Sequence, residues 1–246
     1  MTDKAIGDLT EITSIGDDDY LVVETATGNS RKIKKSNVGV AGRVAPTFVQ
    51  KGTLRGDGTI SLPAAPTPGN LMVLVMAGFN ATSLTSGYMP AGFTPVVTYS
   101  SNANNAVAAA VRRVQSGDTG SYAMSTSDNQ AAVIYEFEDA VGVYGTGGGV
   151  MSGAFSGNNF TFIGQQSPYG VSDILLGAFT HDTTPTWSIT AEPGLTVDYA
   201  TPADGQNHTS IFFRYDEAFD GTLAGSLSGS PVQPASGVFA VVGAPG

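Results

Sequence analysis

Few residues of this 246-residue chain have types and spacing that could support catalysis. The two histidines are His181 and His208, and there is no cysteine to act as a nucleophile or a metal ligand. Asp182 directly follows His181, but neighbours on a strand point to opposite faces, so this pair is not a catalytic dyad. The chain also lacks the G-x-S-x-G motif of a nucleophile elbow. We therefore predict that the protein is not an enzyme and needs no cofactor.

A pair of carboxylates lies at the spacing that would place both on one face of a strand. Glu136 and Glu138 alternate with Tyr135 and Phe137, and glycosidases use two such acids across a sugar. The alternation equally describes an ordinary strand with its aromatic side chains in the core and its acids in water. We interpret the segment in this second way.

Two further motifs offer chemistry that a simpler structure explains. Asp17, Asp18 and Asp19 could bind Ca²⁺ through oxygen atoms, but the spaced Gly and Glu of an EF-hand loop are missing. Consecutive aspartates favour a turn, because each side chain can accept a hydrogen bond from its own backbone. The glycine-rich run GTGGGV at 145–150 lacks the Lys-Ser/Thr of a phosphate-binding loop. We predict a turn and a flexible linker, with no metal.

Saccharide binding is the strongest chemical possibility. The only tryptophan, Trp187, lies among polar residues, and sugar sites combine an aromatic platform with short polar side chains. A candidate set is Trp187 with Asp182 and Thr184 as hydrogen-bonding partners, and with His181 and Tyr88 nearby in predicted loops. The alternation around Trp187 also fits a ring buried in the core, and both interpretations stay open.

The charge of the chain is unevenly distributed. The formal net charge is −10, and only 13% of residues are charged. Five of the eleven Lys and Arg residues fall within 1–42, and no lysine follows Lys51. This balance argues against electrostatic docking onto nucleic acid or an anionic membrane. The remaining surface is one of hydroxyls, amides and glycines.

No segment has the character of a membrane anchor or a leader peptide. The longest apolar run, 71–79, is far too short to cross a bilayer. The N-terminus lacks the apolar core of a signal peptide. We therefore expect synthesis in a cytoplasm and no membrane insertion.

The positions that could carry this chemistry depend on two different structural parts. In the first, residues 20–25 predict a strand, 27–29 a hairpin turn and 31–34 the returning strand. A hairpin this small cannot bury enough apolar surface to be stable alone. We expect it to pack on a partner.

The second part, from about residue 43, contains an internal repeat. Four blocks recur in the same order at a displacement of roughly one hundred residues, and the alignment sets Arg112 opposite Arg214. The block pairs are 66–79 with 167–179, 90–100 with 192–201, 106–127 with 209–230, and 131–138 with 237–244.

These features predict an all-β protein. The 32 glycines and 13 prolines punctuate many short strand-length runs. Two arrangements fit these runs, two small tandem sandwiches or one large sandwich, and we favour the single large sandwich. The reason is that several strands are apolar on both faces and need cover on two sides. We predict an N-terminal hairpin segment, 1–42, and a large antiparallel, jelly-roll-like β-sandwich, 43–246, with half-repeats of about 43–145 and 146–246.

The stretch DLTEITSIGDDDYLVVETATGNSRKIKKSNV resembles the N-terminal segment of many bacteriophage tail-fibre, tail-spike and head-fibre proteins. The matching pieces are Asp8-Leu9, Thr13, 17–19, 20–23, Gly28 and Lys32-Ile33. The body resembles β-sandwich modules of phage and bacterial surface proteins, on the pieces 62–73, 90–94, 113–120 and 134–137. In such phage proteins the first segment fixes the fibre to the particle and helps to form a trimer.

The resemblance implies a structural protein of the virion, a fibre, spike or decoration component. We expect it to be a homotrimer attached to capsid, portal, neck or baseplate proteins, and a host surface polysaccharide is the candidate ligand of its body. The alternatives are a dedicated carbohydrate-binding adhesin and, less well supported, a glycan-degrading enzyme. The expected partner-binding residues are the hairpin's charged side chains, Asp17, Asp18, Asp19, Arg31, Lys32, Lys34 and Lys35.

Overall fold

The fold is known from a computed structural model. It describes residues 20–24, 30–34, 45–56, 58–79, 84, 88–100, 105–124, 130–150, 159–163, 174–181, 189–191, 195–201, 209–215, 222–227 and 236–243. The chain divides into two compact units, Met1–Arg43 and Val44–Gly246.

The first unit contains one antiparallel hairpin. Strand β1 (Tyr20–Glu24) pairs with β2 (Ser30–Lys34) in the register Tyr20↔Lys34 to Glu24↔Ser30. The two predicted strands are therefore present to within one residue, and the predicted turn at 27–29 lies outside the described residues.

The second unit, the body, contains fifteen strands among the residues that the structure describes. Those of its first half are β3 (Thr47–Arg55), β4 (Gly58–Ser61), β5 (Leu71–Phe79), β6 (Thr94–Ser100), β7 (Asn105–Arg113), β8 (Ser121–Met124) and β9 (Gln130–Glu138). Those of its second half are β10 (Gly142–Val150), β11 (Asn159–Ile163), β12 (Ile174–His181), β13 (Ile189–Ala191), β14 (Leu195–Ala200), β15 (Thr209–Tyr215), β16 (Thr222–Leu227) and β17 (Ser236–Gly243).

Both halves of the body have the same topology. The first forms a five-stranded sheet of order β3-β9-β5-β7-β6 and a pair β4-β8; the second forms β10-β17-β12-β15-β14 and a sheet β11-β16-β13. Every pairing is antiparallel, and in each half the first strand pairs with the last, as in a jelly roll. The predicted fold class, an all-β antiparallel sandwich, is confirmed.

β-Bulges recur at corresponding places in the two halves. The edge strands β3 and β10 each have a register shift, between Phe48 and Gln50 and between Val143 and Gly145. The opposite edge strands, β6 and β14, shift after Pro95 and after Val197. A bulge inserts one extra residue and bends its strand. Because the bulges recur in both halves, the halves share local backbone geometry as well as a sequence repeat.

The two five-stranded sheets pack on each other through one shared core. Strand β12 contacts β5, β17 contacts β7 and β10 contacts β6, so the two strand orders run in opposite directions and a pseudo-two-fold axis relates the halves. The shared core takes residues from both sheets, including Val73, Val75, Leu176, Ala178 and Phe212.

The apolar runs are covered on both faces, as their composition predicted. Odd-numbered residues of β5 such as Val73 belong to the shared core, whereas Met72, Leu74 and Met76 face a second core closed by β4, β8 and loops. Strand β12 is buried along 174–180. A strand with apolar side chains on both faces is stable only when a layer lies on each side.

The prediction of a flexible linker at 145–150 was wrong. Residues Gly142–Val150 form β10, which pairs with β17 along its whole length, from Gly142↔Gly243 to Val150↔Ser236. Glycine-rich composition is typical of a linker, but the ladder to β17 supplies the hydrogen bonds that hold this segment extended. The connection between the halves is the short segment 139–141.

The repeat alignment that set Arg112 opposite Arg214 was also off by one residue. In the sheets, Arg112 pairs with Met72, which belongs to the second core of the first half. Arg214 pairs with Leu176, which belongs to the shared core. Counting from the bulges equates Arg214 with Val111. A slip of one residue moves a side chain to the other face of a sheet.

The strands give the body two distinct ends. At one end, here called the base, β3 begins at Thr47 and β9 ends at Glu138, its partner. The connection 139–141 is too short to run the length of a strand, so β10 and its neighbour β12 also begin at the base. Strand β12 therefore ends with His181 at the opposite end, the apex.

Candidate functional site

The predicted saccharide-binding residues are described only in part. Asp182, Thr184 and Trp187 lie outside the described residues. His181 is the last residue of β12, paired with Thr209 at the apex, and Tyr88 is 37% exposed. The described residues therefore leave the predicted saccharide site untested.

The predicted anchor residues are described for β2 alone. Arg31, Lys32 and Lys34 occupy register positions opposite Val23, Val22 and Tyr20. Asp17, Asp18, Asp19 and Lys35 lie outside the described residues.

Among the described side chains, Glu136 forms the most complete polar site of the body. Its side chain is 0% exposed. Oε1 accepts hydrogen bonds from the Thr67 backbone N–H (2.8 Å) and from Asn70 Nδ2 (2.7 Å), and Oε2 accepts one from Gln50 Nε2 (2.5 Å). The Gln50 side chain also binds the Ala64 backbone: Gln50 Oε1 accepts from the Ala64 N–H (3.0 Å), and Gln50 Nε2 donates to the Ala64 carbonyl (3.2 Å). Strand β9 is therefore fastened to the loop 62–70.

The prediction that both acids of this strand lie in water was wrong for Glu136 and right for Glu138, which is exposed. The aromatic neighbours Tyr135 and Phe137 do lie in the shared core. Strand alternation could not predict that Glu136 is buried, because the loop that covers it, 62–70, lies far away in the sequence. Since both oxygens of Glu136 are engaged and enclosed, the pair does not form the open acid pair of a glycosidase.

A second polar cluster lies around Arg112, at the outer face of the first half. Its Nη2 lies 2.5 Å from Asp118 Oδ1, its Nη1 donates to the Ala91 carbonyl, and its guanidinium carbon lies 5.5 Å from the centre of the Tyr122 ring. Burial, with a smaller contribution from Asp118, raises the pKa of the Tyr122 hydroxyl above its usual 10.0. Gly92, at φ +85°, turns the chain beside Arg112, where a Cβ would lie 3.2 Å from Nε.

Arg113 braces the base. Its guanidinium donates to the carbonyl oxygens of Gly69 (3.0 Å), Ala140 (2.6 Å) and Val141. These carbonyls belong to the loop before β5 and to the connection between the halves. One side chain therefore satisfies three backbone acceptors that the strand ladders leave unpaired.

The third cluster lies between the two halves, where β3 meets β14. Lys51 Nζ lies 2.5 Å from Asp198 Oδ1 and also donates to the Asp198 carbonyl (2.8 Å). Arg214 Nη1 lies 3.5 Å from the other carboxylate oxygen, an ionic contact rather than a well-formed hydrogen bond. The Arg214 guanidinium also lies over the Phe48 ring, 3.6 Å from its centre. The Asp198 side chain is only 2% exposed.

Together these clusters engage the cationic side chains of the body inside the fold. Lys51, Arg112, Arg113 and Arg214 each bind a carboxylate or a carbonyl of the body itself, and Arg55 also has a partner. Within the described ranges no group of three or more His, Asp or Glu residues is placed to hold a metal ion. What these charged groups do chemically is to brace loops and join the halves.

Sequence reasoning missed Asp198 and Lys51 as functional residues. Lys51 carried a signal, since it is the last lysine of the chain. Asp198 carried none, because it is the extra residue of a bulge and so departs from the alternation of its strand.

Comparisons with family models, with curated proteins and with solved structures gave no match. In the part of the chain that the structure describes, no helix has both the length and the apolar character to span a membrane.

Proposed function

We propose that the chain is a structural component of a bacteriophage particle, attached through residues 1–42 and displaying its β-sandwich body. The observation that carries the proposal is the division of labour between the two units. A small unit with a single described hairpin holds five of the eleven cations within 1–42. The cations of the body are engaged within its own fold, so the first unit is the richer source of positive charge for contacts with a partner.

A charged hairpin suits attachment for a physical reason. Charge pairs across an interface fix its register and penalise wrong partners by several kcal/mol. Within β1 and β2, apolar Leu21 lies opposite Ile33 and Val22 opposite Lys32, so the hairpin joins apolar and charged positions. A hairpin of this size gains stability by packing on neighbours, which supports a cyclic homotrimer on a socket of other virion proteins.

The polarity of the body agrees with display. The chain enters the body at the base, at Thr47, and Arg113 braces that end through three backbone carbonyls. Strand β12 ends at His181 at the apex, and the predicted saccharide residues 182–187 follow it in sequence. The chain therefore enters the body at the end opposite to the one from which these residues follow.

The test of this proposal is incorporation into particles. Particles assembled with the chain lacking residues 1–42 should contain none of it, while the truncated body remains folded. Reversing the charge of Lys32, Lys34 and Lys35 to glutamate should lower incorporation without lowering the melting temperature of the body. Glutamate at Arg55, in the body, is the matched control and should incorporate normally. Normal incorporation of the truncated chain would contradict the proposal.

A second function, binding of a neutral host glycan by the body, is favoured by the exposed ring of Tyr88. The body's described cations are engaged, so a ligand would be held by hydrogen bonds and ring stacking. In a glycan array, Trp187→Ala should abolish binding with unchanged stability if Trp187 is a platform. A loss of about 3–5 kcal/mol of stability would instead show a buried ring and contradict this function.

A further inference from the structure

The inner faces of the two half-body sheets correspond to each other, so the fold must determine which sheet packs on which. Each five-stranded sheet has the same strand order, so the inner face of a first half could pack on another first half as well as on a second half. We call the observed arrangement cross-half pairing, and the alternative, between two chains, same-half pairing. Repeat architectures fail in this way when nothing distinguishes the two.

The two corners of the interface differ in chemistry although they correspond in geometry. At one corner, β3 meets β14 through Lys51, Asp198 and Arg214. At the other corner, β10 meets β6. There the bulge residue corresponding to Asp198 is Val96, and the β7 residue corresponding to Arg214 is Val111.

The remaining position follows from the same registers. Lys51 is the second residue after the bulge of β3, and Thr146 is the second after the bulge of β10. Val96 and Val111 pack against the shared core. The pseudo-symmetric interface therefore has one ionic corner and one corner built on two valines.

We infer that the cluster of Lys51, Asp198 and Arg214 is the specificity determinant that makes the first half accept only a second half as its partner. In a pairing of two first halves, Lys51 would meet the positions of Val96 and Val111 and lose its carboxylate. In a pairing of two second halves, Asp198 and Arg214 would meet the position of Thr146 and lose the lysine.

The energetics favour this role over a role in stability alone. The gain from a buried ion pair is largely offset by desolvation of its charges, but a buried charge left without its partner is costly. The Asp198 side chain is 2% exposed, and that of Lys51 is 31% exposed. Same-half pairing would separate Lys51 from its carboxylate and leave the buried Asp198 without its lysine, so the cluster acts mainly by penalising the wrong partner.

The test uses the full chain and copies the second corner into the first. The triple variant Lys51→Thr, Asp198→Val, Arg214→Val makes both corners alike. After unfolding and refolding, we expect it to melt within a few degrees of the wild type, yet to form species larger than the wild-type assembly in size-exclusion chromatography with light scattering. Asp198→Val alone should lower the melting temperature by about 10 °C, because it removes the buried carboxylate that both Lys51 and Arg214 contact.

Controls separate pairing from folding. If Asp198→Val does not fold, Asp198→Asn removes the charge with little change of shape and should lower the melting temperature in the same direction. Asp118→Val breaks a partly buried ion pair inside the first half, and should destabilise without changing the assembled mass. A triple variant that refolds to the wild-type mass would overturn the inference. So would an intact mass lower by one water, which would show an amide between Lys51 and Asp198 in place of an ion pair.

Discussion

At the scale of single residues, Glu136 shows how a buried charge can serve a loop. Three donors saturate its carboxylate. Glu136→Gln keeps the shape but turns one acceptor into a donor that faces another donor. We expect the free energy of unfolding in urea to fall by about 2 kcal/mol. Glu138→Gln, on the same strand but exposed, should change it by less than about 0.5 kcal/mol. Equal effects of the two changes would contradict this account.

Tyr122 offers a test through pH. Because burial and then Asp118 raise its pKa above 10.0 in the folded protein, the unfolded chain ionises first. Its contribution to stability is full below pH 10 and is lost as the pH rises through the folded pKa. Its hydroxyl has no hydrogen-bond partner among the described residues, so Tyr122→Phe should be nearly neutral at pH 7. Between pH 9 and 11, unfolding free energies should fall less steeply for the variant; identical slopes would refute this.

At the scale of elements, β10 tests whether a glycine-rich segment is a strand or a linker. Adjacent residues of an edge strand alternate between donating to the ladder and pointing their N–H away from it. Of Thr146→Pro and Gly147→Pro, one should therefore cost about 2 kcal/mol and the other less. A linker would tolerate both changes. Thermal unfolding of the two variants, compared side by side, distinguishes the cases.

The crossing of β3 by β4 depends on a residue without a side chain. A Cβ at Gly52 would lie 2.6 Å from the Ser61 carbonyl oxygen and 2.7 Å from Ile60 Cγ2. Gly52→Ala should therefore cost about 2 kcal/mol, because the obstructing carbonyl is backbone and cannot rotate away. Gly142→Ala, which meets nothing within 4 Å, is the control and should be tolerated. Melting temperatures that fall equally would show that the approach is not limiting.

At the scale of the whole molecule, the shared core makes the halves of the body interdependent. Neither five-stranded sheet can keep its inner face buried without the other. We expect one calorimetric transition for the body, with a calorimetric enthalpy equal to the van't Hoff enthalpy. Deleting residues 1–42 identifies any transition that belongs to the first unit. Two separable transitions in the truncated chain would mean that each half is stable alone.

The sequence by itself determined the features that depend on near neighbours. The hairpin strands, the short strands between turn residues and the twofold repeat of four sequence blocks can all be read from the sequence alone. The doubly apolar runs of β5 and β12 also required layers on both sides, whatever those layers were. These features suffice for an all-β antiparallel fold.

Only the tertiary structure decided which polar residues are buried and which residues of the two halves meet. Glu136 is enclosed by a loop more than sixty residues away in the chain. Asp198 meets Lys51 because a bulge shifts the phase of β14 by one residue, whereas Arg214, on the regular strand β15, faces the shared core opposite Leu176. Burial depends on contacts distant in sequence, and a single inserted residue reverses the face that alternation predicts.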